Sequence, residues 1–249
     1  MTKINKIKDY FNSFNVINDN DFDGLTFEEM SNPRFVYNIL VDNSVSMQQG
    51  EKIFFLNQAL SQAISDIAED EIGKTRIDIK VTQFGDEIVD ICDWTPVRSV
   101  PRKFDIAATG KSTRLGAATI YGIEGAVSRK NYCKSIGNLP HHLGVNLIIT
   151  DGEATDSMTE ASAKAREYEQ KYGIQTWVLA IPGANVKKLG ACFDRVIVNK
   201  SVDMTEILRW MSQSFMKLSE SELGEKIQYD PLPESAGFVI VDSIPEKYF

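Results

Sequence analysis

Cysteine, histidine and long apolar runs are all scarce in this sequence, and each shortage removes a class of function. The three cysteines, Cys92, Cys133 and Cys192, stand far apart with no C-x-x-C pair, which argues against a disulfide framework and a zinc ribbon and leaves buried thiols as the expectation. No apolar stretch approaches the roughly 20 residues that a membrane-spanning helix needs. The two histidines, His141 and His142, are neighbours after Pro140, so no Ser/His/Asp triad is supported and a solvated loop pair is expected. Positive charge is also short. Against 35 Asp and Glu stand 27 Lys and Arg, a formal charge of −8, which sets nucleic acid aside as the main partner. The lysines of Met1 to Tyr10 precede no apolar h-region, so a secretory signal is not expected, no membrane partner is, and a cytoplasmic setting is.

What is present is an ordinary globular composition, 43% hydrophobic and 25% charged over 249 residues, ample for one large core. Residues 1–32 read as a polar arm, 33–218 as an α/β domain and 219–249 as a tail that is extended or adds a strand. Within the arm, Asp19, Asp21 and Asp23-Gly24 copy the first half of a calcium loop. Met30 falls where the closing glutamate belongs, so a solvated loop is expected instead.

Periodicity then alternates between strand and helix. Phe35 to Val41 is an apolar run suited to a central strand buried on both faces. Ile53, Leu56, Leu60, Ile64 and Ile67 give the following segment one apolar helical face. Arg76 to Phe84 alternates, with Ile77, Ile79 and Val81 inward and Arg76, Asp78 and Lys80 outward, and pairs with Glu87 to Asp93 as an edge hairpin. Ser112 or Thr113 is placed to cap a helix over 115–129 that is rich in small residues. Val145 to Thr150 reads as a second buried strand, and Ser157 opens a helix to Tyr172. Strands at 175–181 and 195–198 and an amphipathic helix over 204–218 complete the domain, with Gly237 to Asp242 as an added strand. Such strand-helix units predict a mostly parallel, Rossmann-like sheet with one antiparallel edge strand and helices on both faces. Ligands of such sheets bind beyond the carboxyl ends of the strands.

Those ends carry the chemistry. Asp42, Ser44 and Ser46 follow the first strand, Thr113 precedes a helix, and Asp151 follows Val145 to Thr150. Two carboxylates and three hydroxyls make an all-oxygen set, which selects hard cations such as Mg²⁺ or Mn²⁺. With only two negative charges a bound ion stays electrophilic, open to an acidic group from outside. Turn formation and helix capping are the structural roles these residue types also fill.

In this D-x-S-x-S, distant Thr and distant Asp, the sequence resembles the von Willebrand factor A family and its metal-ion-dependent adhesion site. The likeness runs over roughly residues 33–218 and implies the Rossmann-like fold of that family. It also implies that Ser44, Ser46 and Thr113 supply hydroxyl ligands while Asp42 and Asp151 bind directly or through water. Val45 departs from the glycine many members have. Within the family, the helix of Leu56-Asn57, Val81 to Phe84 and Thr150 to Asp156 look most like the compact TerY-like bacterial proteins encoded with tellurium-resistance and stress-response genes. The resemblance implies a non-enzymatic module that captures a Glu, an Asp or a C-terminal carboxylate of a protein partner, with a kinase or phosphatase of the same gene cluster as a candidate.

Two enzyme readings compete. Gly110-Lys-Ser-Thr113 copies the end of a P-loop, yet Asp105 stands where its first glycine belongs. Asp42 suits a phosphatase nucleophile, yet Ser44 replaces the second Asp that such enzymes use as acid and base. Asp156 is assigned to capping the helix that follows it.

Overall fold

A computed structural model describes residues 32–226 and 229–239 of the chain. The calcium-like stretch, Met1 to Ser31 as a whole and the last ten residues lie outside them.

β1 (Arg34–Asp42) is buried along its whole length and runs parallel to β2 (Ile77–Phe84) on one side and β4 (Pro140–Thr150) on the other. β3 (Ile88–Pro96) returns antiparallel on β2 as the edge strand. Beyond β4 lie β5 (Ile174–Ala180) and β6 (Val196–Asn199), both parallel, then β7 (Ala236–Val239), which pairs antiparallel with β6. The order is β3-β2-β1-β4-β5-β6-β7. The sheet is thus mostly parallel with the antiparallel edge read from the hairpin, and the tail adds a strand at the opposite edge.

Helices cover both faces. On one lie α1 (Lys52–Glu69) and α6 (Thr205–Glu220), whose Leu56, Leu60, Ile64, Met211 and Phe215 join Tyr37, Ile39 and Leu147 in the main core; the single turn α2 (Gly73–Arg76) follows α1. On the other lie α3 (Leu115–Ser135) and α4 (Thr159–Tyr172), with the short α5 (Val186–Cys192) near β6. α3 approaches β1 and β4 closely because Gly122 has no side chain. A Cβ there would lie 2.3 Å from Asn146 Oδ1 and 2.6 Å from Asn38 Nδ2, a buried pair bonded to each other at 2.8 Å. The small residues of this helix are what let it seat on polar side chains of the sheet.

Three expectations fail here, in whole or in part. Asp78 and Lys80 are not outward and solvated: α3 covers that face, Asp78 is fully buried, and Arg34 and Arg129 both hold its carboxylate. His141 and His142 are not in a loop but begin β4, and His141 is buried, its Nε2 2.9 Å from Ser221 O and its Nδ1 accepting from Leu143 N at 3.1 Å. Of the cysteines, only Cys133 is buried; Cys92 and Cys192 are partly exposed. No helix among the described residues is long and apolar enough to cross a membrane.

Candidate metal centre

The carboxyl ends of β1 and β4 deliver Asp42 and Asp151 to the same edge of the sheet, where adjacent parallel strands necessarily end side by side. Both side chains are buried. Each Asp42 oxygen is held: Oδ1 accepts from Ser44 N at 2.9 Å, and Oδ2 accepts from Thr150 Oγ1 at 2.5 Å. The Ser44 and Ser46 hydroxyls lie 2.9 Å apart, and Ser46 Oγ donates to Asp151 Oδ1 at 2.7 Å. Four of the five residues named from the sequence are therefore linked by hydrogen bonds.

Thr113 arrives from a separate loop, which hydrogen bonds to its neighbours hold in place. Val45 N donates to Gly110 O at 2.7 Å and Gly110 N to Asn43 O at 2.9 Å, zipping the two loops together. Asn43 sits in the space left by Gly85 and Gly110, where added Cβ atoms would stand 2.2 and 3.1 Å from its Oδ1. Thr113 itself is pinned to the loop after β4, its N–H donating to Thr155 Oγ1 at 3.1 Å and its carbonyl accepting from Thr155 N at 2.9 Å. Val45, half-exposed at the rim, takes part through its backbone, so its branched side chain costs the loop nothing visible.

Gly152 marks where these groups converge. A Cβ built on it would lie 3.1 Å from Thr113 Oγ1 and 3.3 Å from Asp42 Oδ2. The two oxygens thus both come within 3.3 Å of one point beside Gly152, an approach that a side chain there would obstruct. Burial pushes the Asp42 carboxyl above its usual range, and the nearby Asp151 charge adds to this, while the bonds from Thr150 and Ser44 oppose it. A cation beside Asp42 would relieve that penalty. The residues present fit a hard divalent ion, with hydroxyls as the majority donors; no group of three or more His, Cys, Asp or Glu placed for a metal occurs among the described residues.

Several participants escaped the sequence reading. Thr150 bonds Asp42 and also accepts from Gly152 N at 3.1 Å. Lys52, in the first turn of α1, donates from Nζ to Asp151 Oδ2 and, at 3.1 Å, to Pro182 O. A cation in the first turn of a helix opposes the macrodipole, and that was the available signal for Lys52. Asp156 caps a helix, but the one before it in sequence, accepting from Gly116 N and Ala117 N at 2.9 Å each. Ser112 does not cap α3. It donates to Asp86 Oδ1 at 2.7 Å, and Lys111 N donates to Asp86 Oδ2 at 3.0 Å. Those P-loop-like donors are spent on a carboxylate, which leaves no cradle for phosphate.

The profile of the von Willebrand factor type A domain matches residues 38–213. The chain belongs to that family. In fold it is similar to the pilus adhesin SpaC of Lactobacillus rhamnosus GG in its open conformation, with TM-score 0.61, 10% identity, and coverage of 75% of this chain and 30% of that one. It is similar also to proximal thread matrix protein 1 of the mussel byssus, with TM-score 0.55, 14% identity, 76% of this chain and 49% of that one. A form of the same mussel protein with a zinc-occupied MIDAS motif aligns with TM-score 0.54, 13% identity, 74% of this chain and 48% of that one. At such identities the likeness concerns the fold alone, and the chain spans about half or less of those proteins. No curated protein matches it in sequence.

Proposed function

We propose that this von Willebrand factor A domain is a metal-ion-dependent protein-binding module. Ser44, Ser46 and Thr113 hold Mg²⁺ or Mn²⁺ through their hydroxyls, with Asp42 and Asp151 binding directly or through water. The observation that carries this is the convergence of the five residues: Thr113 Oγ1 and Asp42 Oδ2 both come within 3.3 Å of one point beside Gly152, and Asp42, Ser44, Ser46 and Asp151 form one hydrogen-bonded network of hydroxyls and carboxylates. The bound ion would supply a Lewis-acidic position for one carboxylate of a partner, from Glu, Asp or a C-terminus. The adhesin and matrix protein among the structural neighbours agree with such a role, and the mussel protein's zinc fits a family site that takes divalent ions. Beside Gly152 a cavity of ≈ 260 Å³, lined by Leu115, Glu153, Met158, Lys188 and Leu189, offers room for a second partner side chain.

A partner inside the cytoplasm, a kinase or phosphatase encoded nearby, and a tellurium-resistance or stress setting belong to this proposal through the likeness of Thr150 to Asp156 to the TerY-like group. Capture of protein from the native lysate tests it, with tagged wild-type chain in Mg²⁺ and in EDTA and with Asp42→Ala and Thr113→Ala in Mg²⁺. A partner retained by the wild type in Mg²⁺ and lost in the other three is expected. Equal recovery in all four refutes the metal-dependent mechanism.

A further inference from the structure

Lys52 occupies the position of a counter-ion. Its side chain is buried, its ammonium bonds Asp151 Oδ2 and Pro182 O, and Asp151's other oxygen is already taken by Ser46. The surroundings are shaped to receive it. Gly183, at φ +113°, is the residue whose Cβ would stand 3.4 Å from Lys52 Nζ and 3.3 Å from Asp151 O, so a side chain there would be strained by the backbone and would press on the Asp151 carbonyl beside the ammonium. Immediately before Lys52 the backbone turns through two left-handed residues, Gly50 at φ +64° and Glu51 at φ +58°. Glu51 is the one described residue other than glycine with positive φ, a conformation that is strained for an L-residue. That turn starts α1 with Lys52 aimed at Asp151, against the helix dipole.

We infer that Lys52 is a tethered cation that neutralises Asp151 in the metal-free site and must be displaced when a divalent ion loads. The inference rests on the proposed metal site and concerns how that site is regulated. A +1 charge fixed on Asp151 repels an incoming +2 ion and engages an oxygen the ion would use, directly or through a water. The ammonium therefore sets the ion concentration at which the site fills, and exchange of one cation for the other moves the start of α1 relative to the loop after β4. A site that keeps its own counter-ion stays folded without metal and binds a partner only above a threshold of free ion.

Mn²⁺ titration of the full chain by calorimetry, with wild type, Lys52→Met, Lys52→Arg and Asp42→Ala, separates the possibilities. Lys52→Met is expected to bind Mn²⁺ about tenfold or more tightly than wild type, while Lys52→Arg, which keeps the charge, stays near wild type. In EDTA, Lys52→Met is expected to melt below wild type, and saturating Mn²⁺ to close the gap. Unchanged or weaker Mn²⁺ binding by a folded Lys52→Met overturns the inference while leaving the metal site intact. No Mn²⁺ binding by any variant overturns the metal site itself. A measurement on the wild type avoids dependence on folding of the variant: the ¹³Cε resonance of Lys52 should move toward that of a solvated lysine as Mg²⁺ saturates. A resonance that stays in place at saturation shows the ammonium still on Asp151 and refutes displacement.

Discussion

The Thr150 hydroxyl gives a measure of how strongly the site depends on its own hydrogen bonds. It donates to Asp42 Oδ2 at 2.5 Å and accepts from Gly152 N at 3.1 Å, and Thr150 is fully buried. Valine has nearly the same shape and makes neither bond. A hydrogen bond to a charged group contributes about 1.5–3 kcal/mol, and a part-buried N–H left without its acceptor costs up to about 1 kcal/mol more, so Thr150→Val should lose roughly 1.5–4 kcal/mol in EDTA. For a domain of this size, that lowers the melting temperature by about 3–15 °C at roughly 2–4 °C per kcal/mol. A divalent ion stabilises the Asp42 charge independently of Thr150. Urea denaturation in saturating Mn²⁺ should therefore show a smaller penalty than in EDTA. A loss under about 0.5 kcal/mol in EDTA would show that the Asp42 carboxylate does not need this donor, and an equal loss in both conditions would show that the ion does not act at Asp42.

Two further perturbations probe the frame that carries the site. Burial, with smaller contributions from the His142 and Lys130 charges, lowers the pKa of His141 to about 4 despite its bonds to Ser221 and Leu143. Because the folded pKa lies below the unfolded 6.5, the neutral ring's contribution is complete above pH 6.5 and disappears as pH falls toward 4. About 2 kcal/mol should be lost over that window after allowance for screening, and His141→Gln should flatten the dependence. Parallel stability curves for the two proteins would refute this. Asp78→Ala removes the carboxylate shared by buried Arg34 and Arg129 and should cost about 3–5 kcal/mol in urea denaturation, whereas a loss near 1 kcal/mol would show that water solvates those guanidiniums readily.

The parallel sheet was legible because both-face burial writes itself into continuous apolar runs. Phe35 to Val41 and Val145 to Thr150 could sit only in the middle, and they pair with each other as β1 and β4. β2 misled because its alternation is real but its polar side is not solvated. Asp78 meets two arginines, one from β1 and one from α3, brought together from 44 and 51 residues away. Alternation reports which residues share a face; it carries no information about what covers that face. His141 misled for a related reason: its solvation is decided by Ser221, which is 80 residues distant.

At the site the division is sharper. Asp42, Ser44, Ser46, Thr113 and Asp151 could be singled out because each stands at the boundary of a periodic segment, where a polar residue needs a reason. The residues that organise them give a fainter signal or none. Thr150 ends a β-branched strand and looks like one more strand former, and its hydroxyl acquires meaning only once Asp42 lies across the sheet from it. Lys52 opens an amphipathic helix, where only its opposition to the helix dipole sets it apart from a charged surface residue, until Gly183 and a left-handed Glu51 place it against Asp151. Each donor can be read from its own short stretch of sequence, but the charge balance cannot: two carboxylates and one buried ammonium come from three segments, and only their sum says that the site is one charge short of neutral before any ion arrives. That remaining negative charge is what would draw a divalent ion in, and the ammonium is what the ion would have to move.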